Sequence, residues 1–248
     1  MSVFLFERDQ KSMRFFKRGN ICVNIENNHG SIVVNGGNIP GNEFKHIIGS
    51  GQVTRSELPY QSFQNIEVNG HIDVSIEISD TPYLEIIADD NLHGVVDVHL
   101  KRKTLVVGLK PNLSVLTYYP IQIKISTAAL FSIKLNGSGS IGVIGLDKEV
   151  LEVHLLGSGE VVLKGGTQNL SVFLNGSGSV DATESPTKSL LAVLNGSGMI
   201  KAHATHESIL RLAGSGTIYD YGGATQKAIE QSGSGKIVLI PVSCTLIP

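Results

Sequence analysis

The stretch "LNGSGSVDA", residues 174 to 182, decides the fold, because its central triplet recurs throughout the second half of the chain. Six Gly-Ser-Gly triplets follow one another at spacings of 20, 19, 20, 18 and 19 residues, a mean of 19.2. A single glycine-rich turn fits any hairpin, but a turn repeated at one period is typical of a repeat architecture. The triplets are Gly137-Ser138-Gly139, Gly157-Ser158-Gly159, Gly176-Ser177-Gly178, Gly196-Ser197-Gly198, Gly214-Ser215-Gly216 and Gly233-Ser234-Gly235.

Apolar residues alternate on both sides of each triplet. In the third copy they are Leu170, Val172 and Leu174 before the triplet and Val180 and Ala182 after it. A spacing of two is the period of a β-strand with one buried face. Each repeat is therefore predicted to be a strand, a Gly-Ser-Gly corner, a second strand and a polar connector.

The length of the repeat selects the architecture. A four-stranded propeller blade needs about 40 to 50 residues, and a meander of hairpins gives no reason to repeat one side chain at one turn. In a solenoid, equivalent positions of successive coils stack about 4.8 Å apart, so identical residues are expected. The glycines would allow a left-handed bend and close approach of neighbouring coils. We therefore predict an all-β fold, a single-stranded parallel β-helix (β-solenoid) with coils of about 19 residues.

The regular repeat occupies only part of the chain. Upstream, "FQNIEVNGHIDVSIEI" (63 to 78) also alternates, and an earlier triplet stands at Gly49-Ser50-Gly51, which predicts less regular N-terminal coils. In the sixth copy Lys227 and Gln231 stand where other copies have apolar residues, which indicates the end of the stack. We divide the chain into an N-terminal arm or cap (1–40), an irregular N-terminal β-helix part (41–130), a regular Gly-Ser-Gly part (131–240) and a C-terminal tail (241–248).

Composition sets limits on the partners. The 248 residues carry 22 acidic and 20 basic side chains, a net charge of −2, which does not favour nucleic acid as a partner. No apolar run approaches the roughly 20 residues of a membrane-spanning helix. The N-terminal sequence has no recognisable export signal, which as written predicts a cytoplasmic location. Cys22 and Cys244 have no metal-type or redox-type spacing, so we expect two ordinary thiols.

The sequence predicts no catalytic residue, metal site or cofactor. Repeated aspartates of the calcium-binding nonapeptide type are missing, and the close pair His203 and His206 has no third ligand nearby. Polysaccharide-cleaving enzymes need clustered carboxylates, or a carboxylate with Arg or Lys on one face of a groove. The candidate acidic residues of the repeat region instead stand at different positions of different coils. Those residues are Asp181, Glu184, Asp220 and Glu230.

Two classes of function are left, with a polysaccharide-active β-helix enzyme third. One is a non-catalytic binding module that presents a repetitive β surface to a protein or a glycan; the other is a structural protein that self-associates, including as a homo-oligomer. Connector residues Tyr219, Tyr221 and Lys227 are the candidate contacts. An exposed aromatic patch there, or at Tyr118 and Tyr119, would favour the binding module.

The order of these motifs resembles a known bacterial family, the putative auto-transporter adhesin, head GIN domain family. The resemblance runs from about Phe63 to Ile240 and includes "FQNIEVNGHIDVSI", "TLVVGL", "YPIQIKISTAALFSIKLNGSGSI" and the serial Gly-Ser-Gly coils. It implies a right-handed β-helix and an adhesin-like role at the cell envelope or surface. It implies no catalytic residues.

Overall fold

The structure, a computed structural model, describes residues 6–9, 12–17, 21–26, 32–36 and 45–240. The first part of the chain forms short strands and one 3₁₀ turn, His93–Val95. The strands are β1 (Phe6–Asp9), β2 (Ser12–Lys17), β3 (Ile21–Glu26), β4 (Ile32–Gly36), β5 (Lys45–Ile48), β6 (Val53–Glu57), β7 (Asn65–Gly70), β8 (Asp73–Ile78), β9 (Tyr83–Asp89), β10 (Val96–Lys101), β11 (Thr104–Leu109), β12 (Leu113–Leu116) and β13 (Gln122–Thr127).

The repeat region forms longer strands, some of which continue around a coil. They are β14 (Ser132–Gly137), β15 (Ser140–Gly157), β16 (Glu160–Gly176), β17 (Ser179–Glu184), β18 (Thr187–Gly196), β19 (Met199–Ala202), β20 (Ala204–Gly214), β21 (Thr217–Asp220), β22 (Gln226–Ser232) and β23 (Lys236–Leu239).

Stacked parallel coils form a β-solenoid, as predicted from the repeat. Strand β15 pairs with β16 in parallel, so that Val153 lies beside Val172 and Leu155 beside Leu174. These four side chains are completely buried. Burial of aliphatic side chains is the main favourable term in folding, and here each coil covers the buried side chains of the coil next to it.

The corners divide the solenoid into two walls. The first wall contains the strands that lead into a corner: β11, β7, β14, the second halves of β15 and β16, β18, β20 and β22. The second wall contains the strands that leave it: β13, β8, the first halves of β15 and β16, β17, β19, β21 and β23.

The less regular N-terminal coils are stacked out of chain order. Strand β7 pairs in parallel with β11 on one side and with β14 on the other, and β8 lies likewise between β13 and β15. The chain therefore completes the coil 65–78 and continues into β11 and β13 on one side of it, which is the N-terminal end of the stack and is called the head end. The chain then returns to place β14 on the other side of that coil. Antiparallel strands complete the head end. Strand β10 pairs with β11, and β9 pairs with β13 on one side and with β6 on the other.

The corner column begins at a glycine that the triplet pattern does not include. Gly70 pairs with Gly137, and Gly137 in turn with Gly157. The earlier triplet 49–51 instead lies between β5 and β6, outside the column. Gly70 is followed by His71 rather than by a Ser-Gly pair.

The two glycines of a triplet are required for different structural reasons. Gly176 has φ +134°, a backbone conformation that disfavours every residue with a side chain. Gly178 has no such φ, but a Cβ placed on it would lie 2.4 Å from the carbonyl oxygen of Gly159 in the neighbouring coil. The left-handed bend expected for the glycines of the triplet is therefore made by Gly176 and not by Gly178. Close approach of the coils is what requires glycine there.

A second, six-stranded sheet accompanies the solenoid. Strands β1 to β5 pair in antiparallel succession, and β12 adds to β5 in parallel. The predicted C-terminal tail 241–248, with Cys244, lies outside the described residues.

Candidate binding surfaces

The serines of the corner form a shallow polar groove along the solenoid. Its volume is about 350 Å³, and Ser138, Ser158 and Ser177 line it together with Asp73 and Glu160. The backbone amides beside these hydroxyls are already used between coils; for example, Ser177 N donates to the Gly157 carbonyl at 3.0 Å. This corner groove therefore offers small hydroxyl groups and few large contact surfaces.

An exposed aromatic pair lies at the head end of the corner groove. Tyr118 is 88% exposed, Tyr119 is 45% exposed, and nearby Leu116 is 69% exposed. The two rings meet edge to face with centroids 5.0 Å apart. The loop lies beside the groove. Asp73, which lines the groove, donates a hydrogen bond of 3.0 Å from its backbone N to the carbonyl of Ile121, the residue that follows the loop. We call residues 116–120 the tyrosine loop.

The tyrosine loop is held by specific hydrogen bonds. The hydroxyl of Thr117 lies 2.9 Å from both the Asp89 carboxylate and the Tyr119 carbonyl. Gly49 N donates to the Leu116 carbonyl at 2.9 Å. The loop therefore presents its aromatic rings from a fixed backbone.

The other predicted contact residues are only partly brought together. Tyr219 and Tyr221 stack with ring centroids 6.1 Å apart on the second wall, and both are half-buried. Lys227 lies on β22 of the first wall, exposed, at a position whose neighbour in the preceding coil, Ser208, faces the interior. The structure thus joins the two tyrosines and places Lys227 on a different wall.

Asp181 is embedded in a local polar cluster. Its carboxylate accepts hydrogen bonds from the Thr183 hydroxyl at 2.6 Å and from Lys201 Nζ at 3.3 Å. Partial burial by itself would raise the pKa of Asp181, but the Thr183 hydrogen bonds and the Lys201 ammonium together hold that pKa below its ordinary value. Asp181 is therefore a stable anion with a structural partner in the next coil.

The other three candidate carboxylates have separate partners. Glu184 pairs with Lys164 at 2.9 Å and Glu230 with Arg211 at 3.2 Å. Asp220 is buried and accepts hydrogen bonds from two backbone amides, those of Ala204 and Gly222. Within the described parts of the chain, no three His, Cys, Asp or Glu side chains are grouped in a way that could hold a metal ion.

An apolar strip on the outside of the first wall was not anticipated from the sequence. Phe173 lies beside Val193, and Leu191 beside Ile209, all four half-buried, and Leu156 is 41% exposed. The ring of His154 stacks on Phe173 with centroids 4.8 Å apart. The sequence does contain a pattern that indicates this strip, because "LLAVLN" (190 to 195) is apolar at outward as well as inward positions.

The fold and these surfaces define a repetitive β-solenoid with exposed aromatic and apolar patches on a rigid frame. The family model of the putative auto-transporter adhesin, head GIN domain, matches residues 62–224. The chain belongs to that family, as the order of its motifs predicted.

Solved structures share the fold. A putative adhesin from Bacteroides fragilis is 21% identical, with a TM-score of 0.63 over 78% of this chain and 100% of that one. A putative lipid binding protein from Parabacteroides distasonis is 23% identical, with a TM-score of 0.54 over 79% of this chain and 100% of that one. A putative adhesin from Parabacteroides merdae is 22% identical, with a TM-score of 0.50 over 79% and 99%. No curated protein matches the chain significantly.

Membership of an adhesin-like family favours a surface or envelope protein. It gives no support to the cytoplasmic location expected from the N-terminal sequence. Among the described residues, the structure contains no helix with the length and apolar character needed to cross a membrane.

Proposed function

We propose that this protein is a non-catalytic, adhesin-like binding module that holds a glycan or a protein at the cell surface or envelope. The observation that carries the proposal is the exposure of Tyr118, at 88%, next to Tyr119 and Leu116. Tyrosines supply large contact areas at low cost in conformational entropy, and they are enriched among the residues that dominate binding energy. Binding residues are also commonly found on loops positioned by a rigid scaffold.

The anchoring of the tyrosine loop supports this role. The Thr117 hydroxyl contacts the Asp89 carboxylate outside the loop and the Tyr119 carbonyl within it. A loop that is ordered before binding loses less conformational entropy when the partner arrives. The corner groove begins beside this loop and would add hydroxyl contacts along the solenoid.

The connector residues Tyr219, Tyr221 and Lys227 belong to the proposal as a second contact region. The stacked pair exposes less ring surface than Tyr118, because both of its tyrosines are half-buried. We expect their replacement by alanine to weaken binding by a smaller factor than changes in the tyrosine loop.

The dispersed carboxylates support a role without catalysis. Glycosidases hold two carboxyl groups about 5 to 9.5 Å apart across the scissile bond. Here Glu184 and Glu230 are each engaged by a different cation, and Asp220 is buried against backbone amides. We expect no release of reducing ends when the protein is incubated with a panel of bacterial and host polysaccharides.

The test is a binding screen with matched variants. The protein is applied to a glycan array and to immobilised extracellular-matrix proteins, and any hit is measured by biolayer interferometry. Tyr118→Ser combined with Tyr119→Ser should reduce affinity at least about tenfold, a loss of about 1.4 kcal/mol. Tyr83→Ser is the control, because Tyr83 is 43% exposed elsewhere. Unchanged binding by the double variant, or cleavage of a polysaccharide, would overturn the proposal.

Self-assembly is the second candidate function, and the last coil favours it. Ile229 is 47% exposed, and within the described chain β22 and β23 each pair with one strand only. An open strand edge with exposed apolar side chains can pair with another copy. If light scattering finds oligomers, Ile229→Lys should dissociate them into monomers. Val150→Lys should not, although Val150 has the same exposed fraction as Ile229. A monomer at all concentrations would contradict this second function.

A further inference from the structure

The hydrophobic interior opens into a groove at the head end of the solenoid. Its volume is about 380 Å³, and it lies between the β10–β11 hairpin and the segment around β6 and β9. Five leucine and valine side chains give it an apolar lining, with Gln61 and His99 as polar members. The five are Leu58, Leu84, Val98, Leu100 and Leu105. We call this site the head-end groove.

The groove exists because the first wall ends at β10. Leu100 lies opposite Leu105, whose neighbour in the next coil is the buried Ile66. Within the described residues, β10 pairs only with β11, so Val98 and Leu100 face the interior without a further coil over them. Both side chains are therefore half-buried. On the other side of the groove, Leu58 N donates to the Leu84 carbonyl at 2.9 Å and fixes that wall.

A cationic turn stands at one end of the groove. Lys101 ends β10 directly after the groove residue Leu100, Arg102 and Lys103 connect β10 to β11, and all three are exposed. None of them forms an ion pair with a carboxylate in the described part of the chain. The Lys103 carbonyl accepts hydrogen bonds from two backbone amides at the start of β7, at 2.9 and 3.1 Å, so the turn is fixed to the solenoid.

The nearby acidic side chains do not neutralise this turn. Asp97 lies 3.2 Å from His99, and Glu85 lies 3.8 Å from Arg55. The three cations therefore place positive charge one to three residues along the chain from Leu100, which lines the apolar groove.

We propose that the head-end groove binds a free fatty acid, with the acyl chain against the leucines and the carboxylate at the cationic turn. A cavity of this volume falls within the roughly 300 to 1,000 Å³ typical of small-molecule sites. An acyl chain matches the lining because both are apolar, and a carboxylate matches lysine and arginine by charge-assisted hydrogen bonding. A neutral glycan has neither an alkyl chain to lie against the leucines nor a carboxylate to pair with the cations.

The site is separate from the tyrosine loop. Strand β11 runs from the cationic turn at Thr104 towards the corner at Leu109, so the turn lies at the end of the strands away from the corner. Fatty-acid binding and partner binding therefore test two different surfaces, and either can fail without the other.

Isothermal titration calorimetry with laurate below its micellar concentration tests the proposal. The wild-type protein should bind laurate at one saturable site and should not bind butyrate, whose chain is too short to occupy the groove. Lys101→Ala combined with Lys103→Ala should weaken laurate binding about tenfold, while dodecanol, which has the same chain and no charge, should bind both proteins alike. The control, Lys188→Ala combined with Lys236→Ala, removes two exposed lysines elsewhere and should leave the affinity unchanged.

A second variant tests the apolar lining. Leu100→Gln should weaken laurate and dodecanol binding by similar factors, with circular dichroism used to show that the fold is retained. Absence of saturable laurate binding, or laurate binding insensitive to both Leu100→Gln and the lysine pair, would overturn the proposal. Binding to phosphatidylglycerol vesicles without binding to monomeric laurate would also overturn it, since it would assign the lysines to a membrane surface.

Discussion

Gly70 and Gly137 are neighbours in the corner of the solenoid, although residues 71 to 136 lie between them in the chain. They pair in parallel register, and Ser138 N donates to the Gly70 carbonyl at 3.1 Å. The same hydrogen bond recurs in the regular coils, where Ser177 N donates to the Gly157 carbonyl at 3.0 Å. The corner is therefore one continuous column that includes a coil without the Gly-Ser-Gly triplet.

The corner column predicts very different costs for two adjacent substitutions. Gly178→Val should destabilise the protein by about 3 kcal/mol or more, because its Cβ would lie 2.4 Å from the Gly159 carbonyl oxygen, which belongs to fixed backbone. Ser177→Ala should cost at most about 0.5 to 1.5 kcal/mol, since it removes one exposed hydroxyl contact to Ser197. Chemical denaturation measures both. Equal denaturation midpoints for the two variants would contradict the stacked corner.

Neighbouring leucines of the second repeat should differ in the same way. Leu155 is completely buried, so Leu155→Ala should cost about 2 to 5 kcal/mol through lost burial and the cavity left behind. Leu156 points outward and is 41% exposed, so Leu156→Ala should change stability by about 0.5 kcal/mol or less. Urea denaturation of both variants checks the inward and outward assignment, and a reversed order of stability would refute it.

The polar cluster at Asp181 predicts a pH-dependent contribution to stability. Its folded pKa is lower than its unfolded value, so its interactions stabilise the protein above the unfolded pKa and are lost as the pH falls through the folded pKa. Asp181→Asn should lower the melting temperature at pH 7, and the difference from wild type should shrink as the pH falls below about 4. Glu149→Gln, at an exposed position, serves as control. A difference that is constant with pH would rule out this explanation.

We expect the fold to be independent of metal ions. The described residues include no grouping of three or more potential metal-ligating side chains, the Ser177 and Ser197 hydroxyls lie 3.1 Å apart, and the corner amides are hydrogen-bonded between coils. Addition of EDTA should leave the melting temperature unchanged in differential scanning calorimetry. A fall of several degrees that is reversed by adding back one divalent cation would show that metal binding contributes to folding.

The candidate binding surfaces were only partly predictable from the sequence. Tyr219 was predicted as a candidate contact and Tyr118 only as part of a possible exposed patch, yet Tyr118 is 88% exposed and Tyr219 is half-buried on the second wall. The difference arises because residues 117–120 connect β12 of the second sheet to β13 of the solenoid, whereas Tyr219 belongs to β21 and packs beside its neighbours. Such exposure depends on strand pairing across the coils, which residue patterns do not specify.

The regular coils were determined by the sequence alone, because a β-solenoid repeats its requirements locally. Within about 19 residues each coil needs apolar side chains at inward positions such as Val153 and glycine where neighbouring backbones approach, as at Gly178. The tertiary structure alone decided the head end. There β7 lies between β11 and β14, pairings that join segments far apart in the chain. Where the first wall stops at β10, the interior is left open beside Leu100, because a core side chain is covered only if another coil follows it.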